Sequence, residues 1–289
     1  MLNLTRRDFV FTLGAALTMV RLHAKPSFKI GYAAITWNGN DDEAINDIAS
    51  LGFRGIQLRS NILAQYGTRP AELKALLAKH KLSLVAFSSG SIRVDSANRA
   101  AMIDAHVKNA RFVHDVGGQN LQLTVDRPAR IVTDADYTTA GEMLSEIGKR
   151  AAEFGVKIGF HPHMGSLAEK PDELDLVMSA VNSHQVQLLL DVAHYQQGGG
   201  DPVAAIKRYR NRLLLLHIKD VRDLPGVGKY QFVELGQGKV NIRAVVNALE
   251  EIEFSGWAVV ELDSVPDATR TPKESAAMSK QYLASIGIV

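Results

Sequence analysis

The sequence contains no cysteine among its 289 residues. Disulfide bonds and thiolate metal sites are therefore excluded, and any metal ion must be bound through nitrogen or oxygen atoms. Two common phosphate-binding patterns are also missing, namely GxGxxG after a first strand and the P-loop GxxxxGK(S/T). The sequence thus carries no sign of a dinucleotide or nucleoside triphosphate site.

The sequence also lacks a strong excess of charge of either sign, with 33 Lys and Arg against 31 Asp and Glu. The first 24 residues hold three of the arginines and one of the aspartates, so residues 25–289 hold 30 basic and 30 acidic residues. Nucleic-acid-binding proteins normally carry a clear positive excess or a basic stripe. We therefore expect no nucleic-acid partner.

The N-terminal stretch TRRDFVFTLGAALTMV places Arg6 and Arg7 before an apolar run that is short for a membrane-spanning helix. It resembles the twin-arginine export signal. This resemblance predicts that residues 1–24 are a removable signal, that the protein is periplasmic, and that it has no stable membrane anchor after signal removal. The alternative is a basic amphipathic N-terminus without a targeting role.

From residue 28 onward, short apolar runs alternate with helical patterns such as AELKALLAKH, in which apolar residues recur at i, i+3 and i+4. Continuous apolar strands that alternate with helices indicate a parallel sheet covered by helices. Eight such units in residues 25–289 predict one α/β domain, a closed (β/α)8 TIM barrel. The predicted strands lie at about 29–35, 54–58, 82–87, 119–124, 156–160, 186–190, 213–216 and 257–260.

Each of the last four predicted strands ends in a side chain that binds divalent cations. In chain order, these residues are His161, Asp191, His217 and Glu261. Because the C-terminal strand ends of a barrel meet at one mouth, where active sites of this fold lie, we expect them to converge. A single polar residue at a strand end is usually a cap or turn residue, but four on successive strands favour a metal site. Such donors suit Mn²⁺, Co²⁺, Fe²⁺ or Zn²⁺ and, less well, Mg²⁺.

Neighbouring polar residues are candidates for catalysis and for ligand orientation. As acid or base groups we predict His163, His194, Lys219 and Glu261. A lysine beside a cation can lose its proton near neutrality and act as a base. For the two histidines, hydrogen bonding to the metal ligands is the open alternative. Two flanking carboxylates could orient the ligands, Asp220 and Asp263.

Other residues near the strand ends could contact a substrate. The candidates are Trp37, Gln57, Arg93 and Asp263. An aromatic side chain at such a mouth commonly stacks on a sugar ring, but Trp37 could equally plug the top of the barrel. The histidines of helical and connecting segments are predicted at the surface: His80, His106, His114 and His184.

Six stretches together resemble the xylose isomerase-like barrel superfamily of sugar isomerases, epimerases and apurinic endonucleases, and most closely its inosose dehydratases. In order across residues 30–285 they are ITWNGNDD, HPHMGS, DVAH, HIKDVR, ELGQGKVN and WAVVELD. The resemblance implies one divalent ion, Mn²⁺ or Co²⁺ above all, held by His161, Asp191, His217 and Glu261. Much of the superfamily has glutamate at position 161, and the family usually has glutamate where this chain has Gln57.

The resemblance further implies an isomerase, epimerase or dehydratase (lyase) that removes a proton next to the carbonyl of a keto-sugar or cyclitol ketone. Export favours an oxidised sugar or glycoside as the small-molecule substrate. One alternative is a non-catalytic periplasmic sugar-binding barrel. The other is an apurinic endonuclease, which would need further histidines where strands two and three end in Gln57 and Ser88.

Overall fold

The computed structural model describes residues 27–289 and shows a closed barrel of eight parallel strands. The barrel strands are β1 (Lys29–Ala33), β2 (Gly55–Arg59), β3 (Ser83–Arg93), β4 (Asn120–Asp126), β5 (Lys157–Phe160), β6 (Val186–Asp191), β7 (Leu213–Ile218) and β10 (Trp257–Val260). Each strand pairs with its neighbour in the chain, and β10 closes the ring between β7 and β1. The predicted (β/α)8 barrel is confirmed, and the predicted signal over residues 1–24 lies outside the described residues.

One element was not predicted, an antiparallel hairpin between β7 and β10. It consists of β8 (Asp220–Asp223) and β9 (Tyr230–Val233), joined by a glycine-rich turn. The hairpin follows the C-terminal end of β7, so it lies at the mouth of the barrel.

The helices cover the outside of the barrel. They are α1 (Asp41–Ser50), α2 (Leu63–Tyr66), α3 (Pro70–Lys79), α4 (Arg99–Val116), α5 (Asp134–Ala151), α6 (Pro171–Ala180), α7 (Val192–Gln197), α8 (Pro202–Arg208), α9 (Ile242–Glu251) and α10 (Pro272–Ser285). Asp201 caps α8 through the backbone N–H groups of its first turn, and Pro202 occupies the first helical position. None of the helices in residues 27–289 has the length and apolarity needed to cross a membrane.

The hydrophobic core has two parts, as expected for strands that are buried on both faces. A large cluster lies between the strands and the surrounding helices, and it includes Phe87, Phe160 and Leu190. A smaller cluster fills the inside of the barrel with side chains such as Val85 and Leu215. The barrel is therefore a packed core, and the polar side chains that could carry chemistry are concentrated where the strands end.

His106 is a correction to the sequence analysis, because it is buried rather than at the surface. It projects from α4 with 6% of its area exposed, and its Nδ1 lies 2.7 Å from Ser89 Oγ on β3. Asn109 Nδ2 donates to the same Ser89 oxygen at 2.8 Å. Burial lowers the pKa of His106 below its usual 6.5.

We expect this histidine to make the fold sensitive to mild acid. The unfolded chain binds a proton at His106 more readily than the folded chain does, so the stability it contributes is present above about pH 6.5 and falls as the pH drops. In His106→Gln, the free energy of unfolding should therefore vary less between about pH 7 and pH 5 than in the wild type. Urea denaturation across this range tests the expectation, with His114→Gln, an exposed histidine of the same helix, as control. An unchanged slope in His106→Gln would contradict it.

Candidate metal centre and active site

Four buried side chains converge at the C-terminal mouth of the barrel. Each contributes one nitrogen or oxygen atom, and these atoms lie within 4.8 Å of one another: His161, Asp191, His217 and Glu261. Neighbouring strands bring two of them together, because Asp191 of β6 is in register with His217 of β7. His217 Nδ1 lies 3.4 Å from Glu261 Oε1 and 3.6 Å from Asp191 Oδ2. The predicted convergence is observed, while metal binding by these residues stays a prediction.

Three buried atoms in this cluster have no hydrogen-bond partner. They are His161 Nδ1, Asp191 Oδ2 and His217 Nδ1, and they make up half of the six such side-chain atoms within residues 27–289. An unsatisfied buried polar atom normally costs about 1–3 kcal/mol, so three in one place require an explanation. A divalent cation coordinated by these atoms would satisfy all three. The donor set therefore fits a metal ion.

The electrostatics of the cluster also favour a cation. Burial alone would lower the pKa of His217, but the charges of Glu261 and Asp191 raise it to about 9. Burial and the neighbouring His217 lower the pKa of His161 well below its usual value. The buried carboxylates of Asp191 and Glu261 thus favour a positive charge between them. A divalent ion would supply two positive charges there, whereas a protonated His217 supplies one.

Hydrogen bonds orient the aspartate so that one oxygen is left for the cluster. Asp191 Oδ1 accepts from the backbone N–H groups of Ala193 and His194, both at 2.9 Å, and so caps the N-terminus of α7. Its other oxygen, Oδ2, is the unpartnered one. The short helix that follows β6 therefore fixes the carboxylate.

Gln57 on β2 orients the other side of the cluster. His217 Nε2 lies 2.9 Å from Gln57 Oε1, an oxygen that can only accept, so Nε2 carries the proton and Nδ1 faces the carboxylates. Gln57 Nε2 donates to Gln122 Oε1 at 2.9 Å and to Glu261 Oε2 at 3.3 Å. A residue predicted as a substrate contact therefore also holds two of the cluster side chains in place.

Lys219 lies beside the cluster and is fully buried. Its Nζ is 2.6 Å from Asp263 Oδ1, 3.1 Å from Glu261 Oε1 and 3.2 Å from His194 Nε2. Burial alone would lower the pKa of Lys219, but the charges of Glu261, Asp191 and Asp263 raise it. These carboxylates thus favour the ammonium form of Lys219, a hydrogen-bond donor, and its predicted role as a base stays a prediction.

The two predicted catalytic histidines stack on each other but differ in their hydrogen bonds. The rings of His163 and His194 are 5.0 Å apart at an interplanar angle of 25°. His194 Nδ1 accepts from the backbone N–H of Met164 at 3.2 Å, and its Nε2 faces Lys219 Nζ. Burial lowers the pKa of His194 to about 3. His163 uses only Nδ1, which lies 2.5 Å from the carbonyl oxygen of Met164.

A cavity of about 410 Å³ opens above the cluster. Hydroxyl and amide groups line one side of it: Gln57, Ser88, Gln122 and Thr124. The aromatic rings of Tyr230 and Phe232, from hairpin strand β9, line another part. A larger groove of about 880 Å³ lies at the opposite end of the barrel around Phe28 and Trp257, and it contains none of the predicted site residues.

Comparison with known proteins agrees with this architecture. The family model described as xylose isomerase-like TIM barrel matches residues 45–283. The chain belongs to this family. Its relatives include the inosose dehydratase of Lacticaseibacillus casei (strain BL23), which is 26% identical over 90% of this chain and 96% of the relative. The inosose dehydratase of Yersinia enterocolitica is 28% identical over 90% of this chain and 97% of the relative.

Solved structures of the same fold include an IolI protein with a zinc atom, which has a TM-score of 0.75 at 20% identity and covers 90% of this chain and 98% of that chain. An L-ribulose 3-epimerase has a TM-score of 0.74 at 16% identity and covers 90% of this chain and 94% of that chain. The predicted family is thus confirmed. The prediction that the chain is an enzyme related to sugar isomerases, epimerases and inosose dehydratases is confirmed as well.

Two predicted substrate contacts do not reach the cavity. Trp37 ends a 3-10 helix after β1, is buried, and donates from Nε1 to Asp47 Oδ2 at 3.1 Å. It packs edge-on against Tyr32 and so belongs to the core of the barrel top. Arg93 is exposed at the far end of the long strand β3, away from the cavity lining. Gln57 and Asp263 do line the cavity.

Two further residues differ from the sequence analysis. Asp220 was predicted to orient the four converging side chains, but it does not contact them. Its buried carboxylate instead accepts four backbone N–H groups from β8 and the loop after β9. Phe232 was missed, although the alternating YQFV after the turn PGVGK is a hairpin signal. In this chain, the hairpin after β7 thus supplies two aromatic side chains to the cavity, Tyr230 and Phe232.

Proposed function

We propose that this protein is a divalent-metal-dependent isomerase, epimerase or dehydratase that removes a proton next to the carbonyl of a keto-sugar or cyclitol ketone. One observation carries the proposal: four buried side chains aim nitrogen and oxygen atoms at one point, and three of these atoms lack any other partner. Relatives named inosose dehydratase and L-ribulose 3-epimerase support a sugar or cyclitol as the substrate class.

The metal ion would be held by the four converging residues, His161, Asp191, His217 and Glu261. Mixed nitrogen and oxygen donors without sulfur suit Mn²⁺ or Co²⁺, with Zn²⁺, Fe²⁺ and Mg²⁺ as alternatives. A bound ion supplies Lewis acidity to the carbonyl and hydroxyl oxygens of the substrate and fixes their position. The remaining chemistry falls to side chains that line the cavity.

His163 is the best-placed base among the predicted catalytic residues. The carbonyl oxygen of Met164 can only accept a hydrogen bond, so His163 Nδ1 carries the proton of the neutral ring. Nε2 then has a free lone pair on a side chain that lines the cavity. Glu261, kept ionised by the charges of His217 and Lys219 against its burial, is the second base at the cavity.

Lys219, buried behind the cavity lining, and His194, which is part of the lining, support this chemistry. The Lys219 ammonium group binds Glu261 and Asp263, so it fixes both carboxylates and lowers the cost of burying their charge. His194 stays neutral and packs against His163, which sets the plane of that ring. The hydroxyl and amide groups of β2–β4 then suit the hydroxyl groups of a small sugar, cyclitol or glycoside.

We expect exhaustive chelation to abolish activity and Mn²⁺ or Co²⁺ to restore it. The reason is that a bound divalent ion would supply the Lewis acidity for proton removal, whereas the nearby Lys219 is already paired with three carboxylates. Metal analysis before and after chelation, together with turnover, checks this expectation. Full turnover by protein that retains no metal would rule out the proposed mechanism.

The substrate class can be tested without knowing the product. The protein is incubated in deuterated water with inososes, ketohexoses and 3-keto-glycosides, and exchange of the proton next to the carbonyl is followed by NMR. Exchange that depends on the metal supports the proposal. Binding of these compounds without exchange would instead support the non-catalytic sugar-binding alternative.

We further propose that residues 1–24 act as a twin-arginine export signal and that residues 25–289 work in the periplasm. The paired arginines before a short apolar run support this proposal. Cell fractionation of the full-length protein, compared with a variant in which Arg6 and Arg7 are replaced by lysine, tests it. Equal amounts of both in the cytoplasm would contradict it.

A further inference from the structure

Phe232 separates the reaction cavity from the buried Lys219. The aromatic ring lines the cavity, and Lys219 Nζ lies over the ring at 4.1 Å from its centroid. The ring of His194 packs against the same side chain at 4.7 Å and 68°. One residue of the hairpin therefore contacts the lysine, the histidine and the space above the cluster.

Ordinary core packing does not account for this arrangement. Phe232 is only half-buried, while Lys219 behind it has no exposed area. Lys219 Nζ donates to two carboxylates, those of Asp263 and Glu261, and lies 3.2 Å from His194 Nε2. The remaining side of the ammonium group meets the face of an aromatic ring, whose negative quadrupole attracts a cation most strongly when water is excluded.

The position of Phe232 is set by the hairpin. In the β8–β9 pairing Phe232 is opposite Val221, which follows Asp220, and the alternation of the strand puts Tyr230 on the same face. Gln231, between the two aromatic residues, points the other way and bonds to Arg222 and to the carbonyl oxygen of Pro266. The hairpin thus presents one aromatic face to the site.

We propose that Phe232 is a positioning residue: its ring holds the Lys219 ammonium group against Glu261 and Asp263 and keeps water away from it. The kinetic consequence of this inference rests on the proposed function, whereas the contact between the Phe232 ring and Lys219 does not depend on it. The aromatic face is the essential property, because a residue of equal bulk without a π-system cannot attract the cation.

Four variants separate the aromatic face from bulk and from folding. Phe232→Leu keeps apolar volume and removes the ring, and Phe232→Tyr keeps the ring. Phe232→Ala removes both. Gln231→Leu changes the adjacent position on the opposite face of β9 and serves as matched control. Melting temperature and metal content, measured on the full chain, identify any variant whose fold is damaged.

The first readout does not require turnover. Protein with ¹³C-labelled lysine should show Lys219 ε-protons shifted upfield by the ring, assigned by their absence in Lys219→Arg. Phe232→Tyr and Gln231→Leu should retain the shift, and Phe232→Leu should lose it. Phe232→Ala, which also lacks the ring, should lose the shift as well. A Lys219 signal without a ring shift in the wild type would overturn the inference.

The second readout is kinetic, on whichever keto-sugar shows metal-dependent exchange. Because leucine has no π-system to attract the ammonium group, kcat of Phe232→Leu should fall roughly tenfold with little change in KM, and Phe232→Tyr should restore it. Wild-type kinetics in Phe232→Leu would overturn the positioning role and leave the proposed function intact. If no compound is turned over, the proposed function fails, while the lysine spectra still test the interaction between Lys219 and the ring.

Discussion

Replacing Asp191 with asparagine should remove the metal ion and with it nearly all activity, while the barrel stays folded. The two oxygens of Asp191 have separate tasks: Oδ1 caps α7 through two backbone N–H groups, and Oδ2 is unpartnered in the cluster. Asparagine can keep the capping oxygen but puts an amide nitrogen, which binds no cation, in the place of Oδ2. The several kcal/mol that a metal contributes to transition-state stabilisation correspond to roughly a thousandfold or more in kcat.

Metal analysis and thermal denaturation test this prediction together. The wild type should gain melting temperature when Mn²⁺ is added, because the ion binds the folded state, and Asp191→Asn should not. His163→Gln is the matched control, since it removes the proposed base but none of the four converging residues. It should retain metal and lose turnover. Asp191→Asn protein with a full metal complement would show that the cluster is not the metal site.

The sequence was sufficient to predict the barrel and the cluster because both depend on the same pattern. Strands buried on both faces read as continuous apolar runs, and a polar residue that ends such a run must lie at the barrel mouth. β7 shows this most clearly, since Leu213–Ile218 is buried almost throughout and includes His217. The convergence of residues from β5, β6, β7 and β10 then follows from strand order alone.

The direction of an individual side chain was not predictable in the same way. Trp37 lies near a strand end, as His161 does, but a turn of 3-10 helix carries its ring into the core. The position of a residue in the sequence predicts at which end of the barrel it lies. The direction of its side chain depends on the backbone path after the strand. Phe232 shows the opposite. It is far in sequence from the end of any barrel strand, and the hairpin brings it to the cavity.

Asp220→Asn should destabilise the protein strongly, although Asp220 is not part of the cluster. Its fully buried carboxylate accepts from Val221 and Val240 at Oδ1 and from Gly236 and Gly238 at Oδ2. Asparagine can serve only one of these pairs, and its NH₂ group would then face the other two N–H donors. At about 1–3 kcal/mol per unsatisfied buried N–H group, we expect a loss of roughly 2–6 kcal/mol in the free energy of unfolding.

The same carboxylate links the loop after β9 to β8, so its replacement should also affect the active site. Asp223→Asn is the matched control, because Asp223 ends the same strand but has 65% of its side chain exposed, in an ion pair with Lys239. A pair of this kind contributes less than about 1 kcal/mol. Urea denaturation should therefore separate the two variants, and Asp220→Asn should also lose the ring shift of the Lys219 ε-protons, because β9 carries Phe232. Equal stability of the two variants would mean that the loop holds its shape without Asp220 and that the hairpin is positioned by its own pairing alone.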